Sequence, residues 1–162
     1  LHNRSSERWC VLNSLDAANH GFVLSSLSQL ATGHEAALKI QEVAQVFLYA
    51  MPTSSLKHGQ FALIDKDIPI VFILQKGSDN LLQRVNVAID EVHLRGAQVH
   101  VVTDIHDYFH QSASSIIHVP HNPTYASILC VLPFQIISYF LSQQRQLDCD
   151  KPKNLAKCVT TD

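Results

Sequence analysis

Glu35, Lys39 and Glu42 stand at i, i+4 and i+7, which places two carboxylates and an amine on one face of an α-helix. Two readings of this strip stay open. One is a solvated ion pair, Glu ahead of Lys, worth about 0.3–0.5 kcal/mol. The other is proton transfer. Ala31, Leu38, Val46 and Tyr49 flank the strip and predict partial burial, which raises a carboxylate pKa toward the range of a general base. Lys57-His58-Gly59 forms a second candidate. His58 is one of ten histidines, and an imidazole that titrates near neutrality can move a proton in either direction. Lys157 lies in the tail with Lys151 and Lys153. It is either one of three solvated lysines or an amine that condenses with a ketone to give an electron-withdrawing iminium.

Other constellations are weaker. His106, His110, His118 and His121 with Asp104 and Asp107 invite a metal reading, but there is no HExxH pair or comparable ligand set, so no metal site is expected. Ser25-Ser26-Leu27-Ser28 offers hydroxyls and N–H groups to a phosphate at the start of a helix, yet it lacks glycine and matches no P-loop.

The 162 residues are enough for one domain with a real core, and the balance of 46% hydrophobic to 16% charged residues excludes a disordered tail. A net charge of -2 with no basic stripe argues against nucleic acid as a partner. The apolar run Ile128–Leu141, broken by Pro133 and Gln135, is shorter than a bilayer requires, so no membrane is expected. The N-terminus has no apolar signal core and no starting Met, which predicts a non-secreted chain that is a piece of something longer. Cys10, Cys130, Cys149 and Cys158 show no CxxC spacing, which fits a reducing, cytoplasmic setting.

These candidates need elements to hold them. Gly21–Ser25 reads as a buried strand, followed by a long helix over 30–50 that ends before Pro52. Residues 55–59 read as a turn, and Ile68–Leu74 is the best strand in the chain. Ser78 or Asp79 caps a helix carrying Leu82, Val85, Ile89 and Val92, with Gly96 just beyond its end. Residues 98–103 and 115–119 read as further strands, and a helix over 125–145 precedes the tail. Strands without clean alternation, separated by helices, predict a parallel sheet covered on both faces. Ligands in such sheets bind beyond the strands' carboxyl ends, so the loops 25–28, 75–79 and 104–110 form the expected rim.

Three segments carry a resemblance. His34-Glu35-Ala36-Ala37-Leu38-Lys39-Ile40-Gln41-Glu42 resembles the E-G-A-L-K-L-K-E run of the glutamine–fructose-6-phosphate amidotransferase (glucosamine-6-phosphate synthase) family. Leu56-Lys57-His58-Gly59 followed by Ala62-Leu63-Ile64-Asp65 resembles its L-K-H-G-P-L-A-L-I-D, and Lys151–Thr160 resembles its x-P-R-N-L-A-K-S-V-T ending. The region matched is the second of two sugar isomerase (SIS) domains. The resemblance implies a three-layer αβα sandwich, with a helical lead-in at 1–19, the domain at 20–147 and an active-site tail at 148–162. It implies conversion of fructose 6-phosphate and glutamine-derived ammonia to glucosamine 6-phosphate. Lys157 would form the imine, beside Ala156 in the substrate site, and Glu42 would move the proton between C1 and C2. Lys39 would stabilise the enolate-like charge. Glu35 would orient His58, which opens the sugar ring and in the family comes from the neighbouring subunit. No cofactor is implied. The expected partners are the phosphosugars, a first SIS domain and a glutaminase domain, and a second subunit in a homodimer.

The departures border the implied site. Ser25-Ser26-Leu27 stands where the family has G-R-G, Phe47-Leu48-Tyr49 where it has H-A-E, Thr53-Ser54-Ser55 where it has A-G-E, and Lys153 replaces the tail arginine. The S-Q-S-G-E-T phosphate loop of the first SIS domain and the glutaminase cysteine have no counterpart here. Two alternatives remain: a non-catalytic sugar-phosphate-binding, regulatory or dimerisation module, and a related phosphosugar isomerase or deglycase. The Asn154-Leu155-Ala156-Lys157 tail argues against the last.

Overall fold

A run such as Pro69–Leu74, apolar at every position, can be buried on both faces only if helices cover both sides of the sheet it joins. The computed structural model, which describes residues 3–18 and 20–156, shows this arrangement. Five strands, β1 (His20–Ser25), β2 (Phe47–Pro52), β3 (Pro69–Leu74), β4 (Gln98–Thr103) and β5 (Ser115–His118), form a sheet in the order β2-β1-β3-β4-β5. All pairings are parallel, with Phe22 of β1 opposite both Tyr49 and Ile70. Helices α1 (Asn3–Ala17), α2 (Leu30–Ala44) and α4 (Ala126–Gln144) cover one face and α3 (Asp79–His93) the other.

The alternating direction of strand side chains divides the core in two. Val71 and Ile73 join Leu12 and Leu15 of α1, Ile40 of α2 and Phe134 and Ile137 of α4. Ile70, Phe72 and Leu74 face Val85, Ile89 and Val92 of α3 together with Leu56. The α3 boundaries follow the sequence signals: the Ser78 hydroxyl accepts from the Leu81 N–H, and Gly96 takes φ +92° in the turn to β4.

The expected 30–50 helix is corrected. α2 stops at Ala44 because Gln45 enters the left-handed region at φ 57°, and Phe47–Pro52 is the edge strand β2. The aromatic and apolar residues after Val46 suit a pleated strand: Leu48 and Ala50 are buried, while Phe47 and Tyr49 are exposed. The expected turn at 55–59 is the end of a 3₁₀ segment, Thr53–His58, closed by Gly59. Helix α4 outruns the apolar stretch Ile128–Leu141. Among the described residues it alone is long and apolar enough to cross a membrane by length and composition, and half of it is buried inside the domain against α1 and α2.

His100 on β4 is fully buried between two hydroxyls, its Nδ1 2.8 Å from Ser115 Oγ and its Nε2 3.0 Å from Ser14 Oγ. The Ser14 hydroxyl donates to the Cys10 carbonyl, so it accepts from Nε2–H and the Ser115 hydroxyl donates to Nδ1. Burial lowers the His100 pKa to about 4, so the ring is neutral in the folded protein.

Candidate active site

Ala36, Ala37, Ile40 and Ala44 seat α2 in the core, which leaves Glu35, Lys39 and Glu42 on its outer side. Lys39 Nζ lies 3.4 Å from Glu35 Oε1 and 3.0 Å from Glu42 Oε2, so one ammonium bridges both carboxylates. The hydrogen bond to Glu42 raises the Lys39 pKa above its ordinary value, keeping the amine charged. The flanking residues cover the strip incompletely: Val46 is buried, while Ala31, Leu38 and Tyr49 are exposed.

His58 ends the 3₁₀ segment after β2. It is exposed, makes no hydrogen bond to a described residue, and lines an open cavity of 390 Å³ with His34, Tyr49, Ser55 and Gln60. The Glu35 carboxylate pairs with Lys39, and no bond joins it to His58 within the chain. The structure therefore brings Glu35, Lys39 and Glu42 together, and His58 makes no hydrogen bond to any of them. Ala156 is exposed at the end of the described residues, after a turn with Asn154 at φ 63°; Lys157 lies outside the described residues.

A cavity of 520 Å³ opens beyond the carboxyl ends of β1 and β2, next to the β1/β3 boundary where the strand order reverses. Ser25, Ser26, Thr53, Ser54, Lys57 and Arg84 contribute to its wall. The Thr53 hydroxyl donates to the Ser25 carbonyl, and Lys57 Nζ pairs with Glu91 Oε1 at 2.8 Å. Sequence reasoning singled out the hydroxyls but missed Arg84 and Glu91, as well as His34 beside His58. The available signal was spacing: Arg84 and Glu91 are seven apart and so share one face of α3.

Beyond β4 and β5 lies a third cavity, of 440 Å³, lined by His106, His118 and His121 with Asp104 and Asp107. Asp104 is buried there, accepting from the Lys76 N–H at 2.6 Å and from His121 Nδ1 at 2.8 Å. Both carboxylate oxygens are thus used to tie three loops together. Among the described residues no group of three His, Cys, Asp or Glu is arranged to hold a metal ion.

Residues 15–141 match the SIS domain family. Over 132 residues the chain is 36% identical to a glutamine–fructose-6-phosphate aminotransferase [isomerizing] of Acidithiobacillus ferridurans, covering 79% of this chain and 21% of that protein. Over 146 residues it is 34% identical to the protein so named in Pseudomonas putida, covering 89% of this chain and 24% of that protein. The chain thus spans less than a quarter of the length of these curated relatives. The C-terminal domain of glucosamine-fructose-6-phosphate aminotransferase from Francisella tularensis superposes with a TM-score of 0.78 at 23% identity, covering 91% of this chain and 42% of that one. At that identity the superposition speaks for the fold.

Proposed function

The chain belongs to the SIS domain family, and on that footing we propose that it is the isomerase part of a glucosamine-6-phosphate synthase-like enzyme acting in the cytoplasm. The observation that carries the reading is the α2 strip, where one lysine is held between two carboxylates on the outer side of a SIS fold. In the proposed reaction Lys157 Nζ attacks C2 of open-chain fructose 6-phosphate and water leaves, giving an iminium. Ammonia released by a glutaminase domain displaces the lysine at C2. Glu42 takes a proton from C1 and returns it to C2, which converts the 2-imine into the 2-amino aldose, glucosamine 6-phosphate. Lys39 balances the enolate-like charge in between. His58, supplied by the second subunit of a homodimer, opens the ring, and Glu35 of the receiving subunit orients it. This division of labour agrees with the absence of a Glu35–His58 bond within one chain. Ala156 belongs to the substrate-binding tail. A first SIS domain supplies the phosphate grip, so binding energy on phosphate assists chemistry at C1 and C2.

Borohydride added with fructose 6-phosphate to the chain plus a separately produced first SIS domain is expected to label Lys157. A label elsewhere, or none in an active mixture, removes the imine step.

A second reading, a phosphosugar-binding module without catalysis, is favoured by the hydroxyl- and cation-lined cavity of 520 Å³. Calorimetric titration with fructose 6-phosphate and glucosamine 6-phosphate separates the two. Binding only when the first SIS domain is added supports the enzyme half. Tight binding by the chain alone, lost in Lys57→Met and Arg84→Met, supports the module.

A further inference from the structure

Side chains three apart on a 3₁₀ helix stand one above the other, so the segment Thr53–His58 presents three pairs of residues. Thr53 and Leu56 fasten it to the fold: the Thr53 hydroxyl donates to the Ser25 carbonyl at 3.1 Å, and Leu56 is buried in the core on the α3 side. Ser54 and Lys57 line the 520 Å³ cavity beyond β1 and β2. Ser55 and His58 line the 390 Å³ cavity, which has no wall residue in common with the first. One short helix therefore serves as a wall of both. It closes at Gly59, whose φ of 138° is strained for any residue with a side chain. A Cβ there would meet nothing within 4 Å, so glycine answers a backbone requirement and not a packing one.

The 520 Å³ cavity has the make-up of a phosphate site. Lys57 and Arg84 supply two cations and Ser26 and Ser54 two hydroxyls, at strand carboxyl ends beside the point where strand order reverses. Lys57 is 60% exposed and is held by Glu91 Oε1 at 2.8 Å, a pair that solvent weakens. Glu91 Oε2 is buried with no partner among the described residues. A dianion entering between Arg84 and Lys57 competes with this half-satisfied carboxylate for the same ammonium.

We propose that the 520 Å³ cavity is an effector site for a small phosphate monoester, and that its occupant repositions His58 in the neighbouring cavity. Lys57 and His58 are joined by one peptide at the end of the segment away from the Thr53 anchor, next to the Gly59 hinge. A pull on Lys57 turns that end and carries the imidazole with it. Two sites and one connecting element meet the requirements of a coupling free energy. The proposal takes the cavity as a ligand site, as the second reading above does, and adds what the ligand does to His58.

The test is a titration of the full chain with glycerol phosphate, followed by ¹H–¹⁵N correlation spectra of the amides and imidazoles at about pH 8, where a monoester is a dianion. This probe has no carbonyl and so stands apart from the sugar chemistry. The Ser26 and Ser54 amides and the His58 ring are expected to shift together with one Kd of about 1–10 mM. Glu91→Gln, which removes the competing charge, tightens that Kd about fivefold, and Arg84→Met weakens it at least about tenfold. Gly59→Ala strains the hinge without a clash, so the Ser26 and Ser54 shifts persist and the His58 shift diminishes. No shift at Ser26 and Ser54 at about 50 mM overturns the site. Shifts there with a silent His58 ring leave the cavity a ligand site and overturn the coupling. A His58 shift that survives Arg84→Met but is lost in His34→Gln would show phosphate entering the His58 cavity directly, and overturns the proposal.

Discussion

His100 sits at the centre of the sheet with both ring nitrogens bonded to hydroxyls, while His58 stands exposed at the end of the β2 loop with no partner among the described residues. Burial has fixed the first in its neutral form, joining α1 to β4 and β5. The second keeps its ring nitrogens unbonded within the described residues and faces an open cavity. The carboxylates divide in the same way. Asp104 is consumed by Lys76 and His121, whereas Glu35 and Glu42 share one lysine at the surface. Groups that hold the fold have their hydrogen-bonding capacity filled from within, and groups able to do chemistry keep some of it open.

The largest effect expected from this contrast is on turnover. In an enzyme assembled with the first SIS domain, His58→Asn and Glu42→Gln each lower the rate on fructose 6-phosphate about 10²–10⁴-fold. The thermal midpoint should move by less than about 2 °C, since neither side chain fills the core. Rates and melts taken on the same samples check this; a midpoint that falls with the rate would erase the distinction from His100.

His100 should act on stability alone. Its folded pKa of about 4 lies below the ordinary 6.5, so between those values the unfolded chain binds a proton that the folded chain refuses. Stability therefore falls as pH drops through this window, by on the order of 3 kcal/mol near pH 4. Urea denaturation of His100→Gln is expected to lose that part of the slope, and an unchanged slope would show that another group carries it.

Asp104→Asn is expected to cost about 1–3 kcal/mol in the same assay, from weakened bonds to Lys76 and His121. The smallest effect belongs to Lys39→Met, which should change stability at neutral pH by no more than about 0.5 kcal/mol because its partners are partly exposed. The Lys39 pKa is raised above 10.5, so the contribution of its pairs is complete below that value and is lost as pH climbs past it. A stability loss in Lys39→Met as large as that in Asp104→Asn would place the α2 strip among the fold's fasteners.

Much of the architecture was legible in local patterns. The all-apolar run of β3, the capped α3 with Gly96 after it, and β4 follow from periodicity and turn chemistry. The spacing of Glu35, Lys39 and Glu42 was enough to bring their charges together, because helical geometry depends on sequence distance alone. β2 was not legible. Its residues continue the apolar pattern of α2, and what separates them is one left-handed residue, Gln45, and pairing with β1 some 27 positions earlier (His20 opposite Phe47).

The sequence by itself determined the fold class, the α2 strip and the family resemblance, since each rests on neighbours along the chain. Only the tertiary structure decided which histidine is locked and which is free, that His34 shares the His58 cavity, and that Arg84 and Glu91 line the hydroxyl-rich cavity with Lys57. It alone also set Trp9 against Phe140, 131 positions away, on one exposed face. Burial and long-range contact are properties of the packed chain, and ten histidines of one type carry no mark of which will be enclosed.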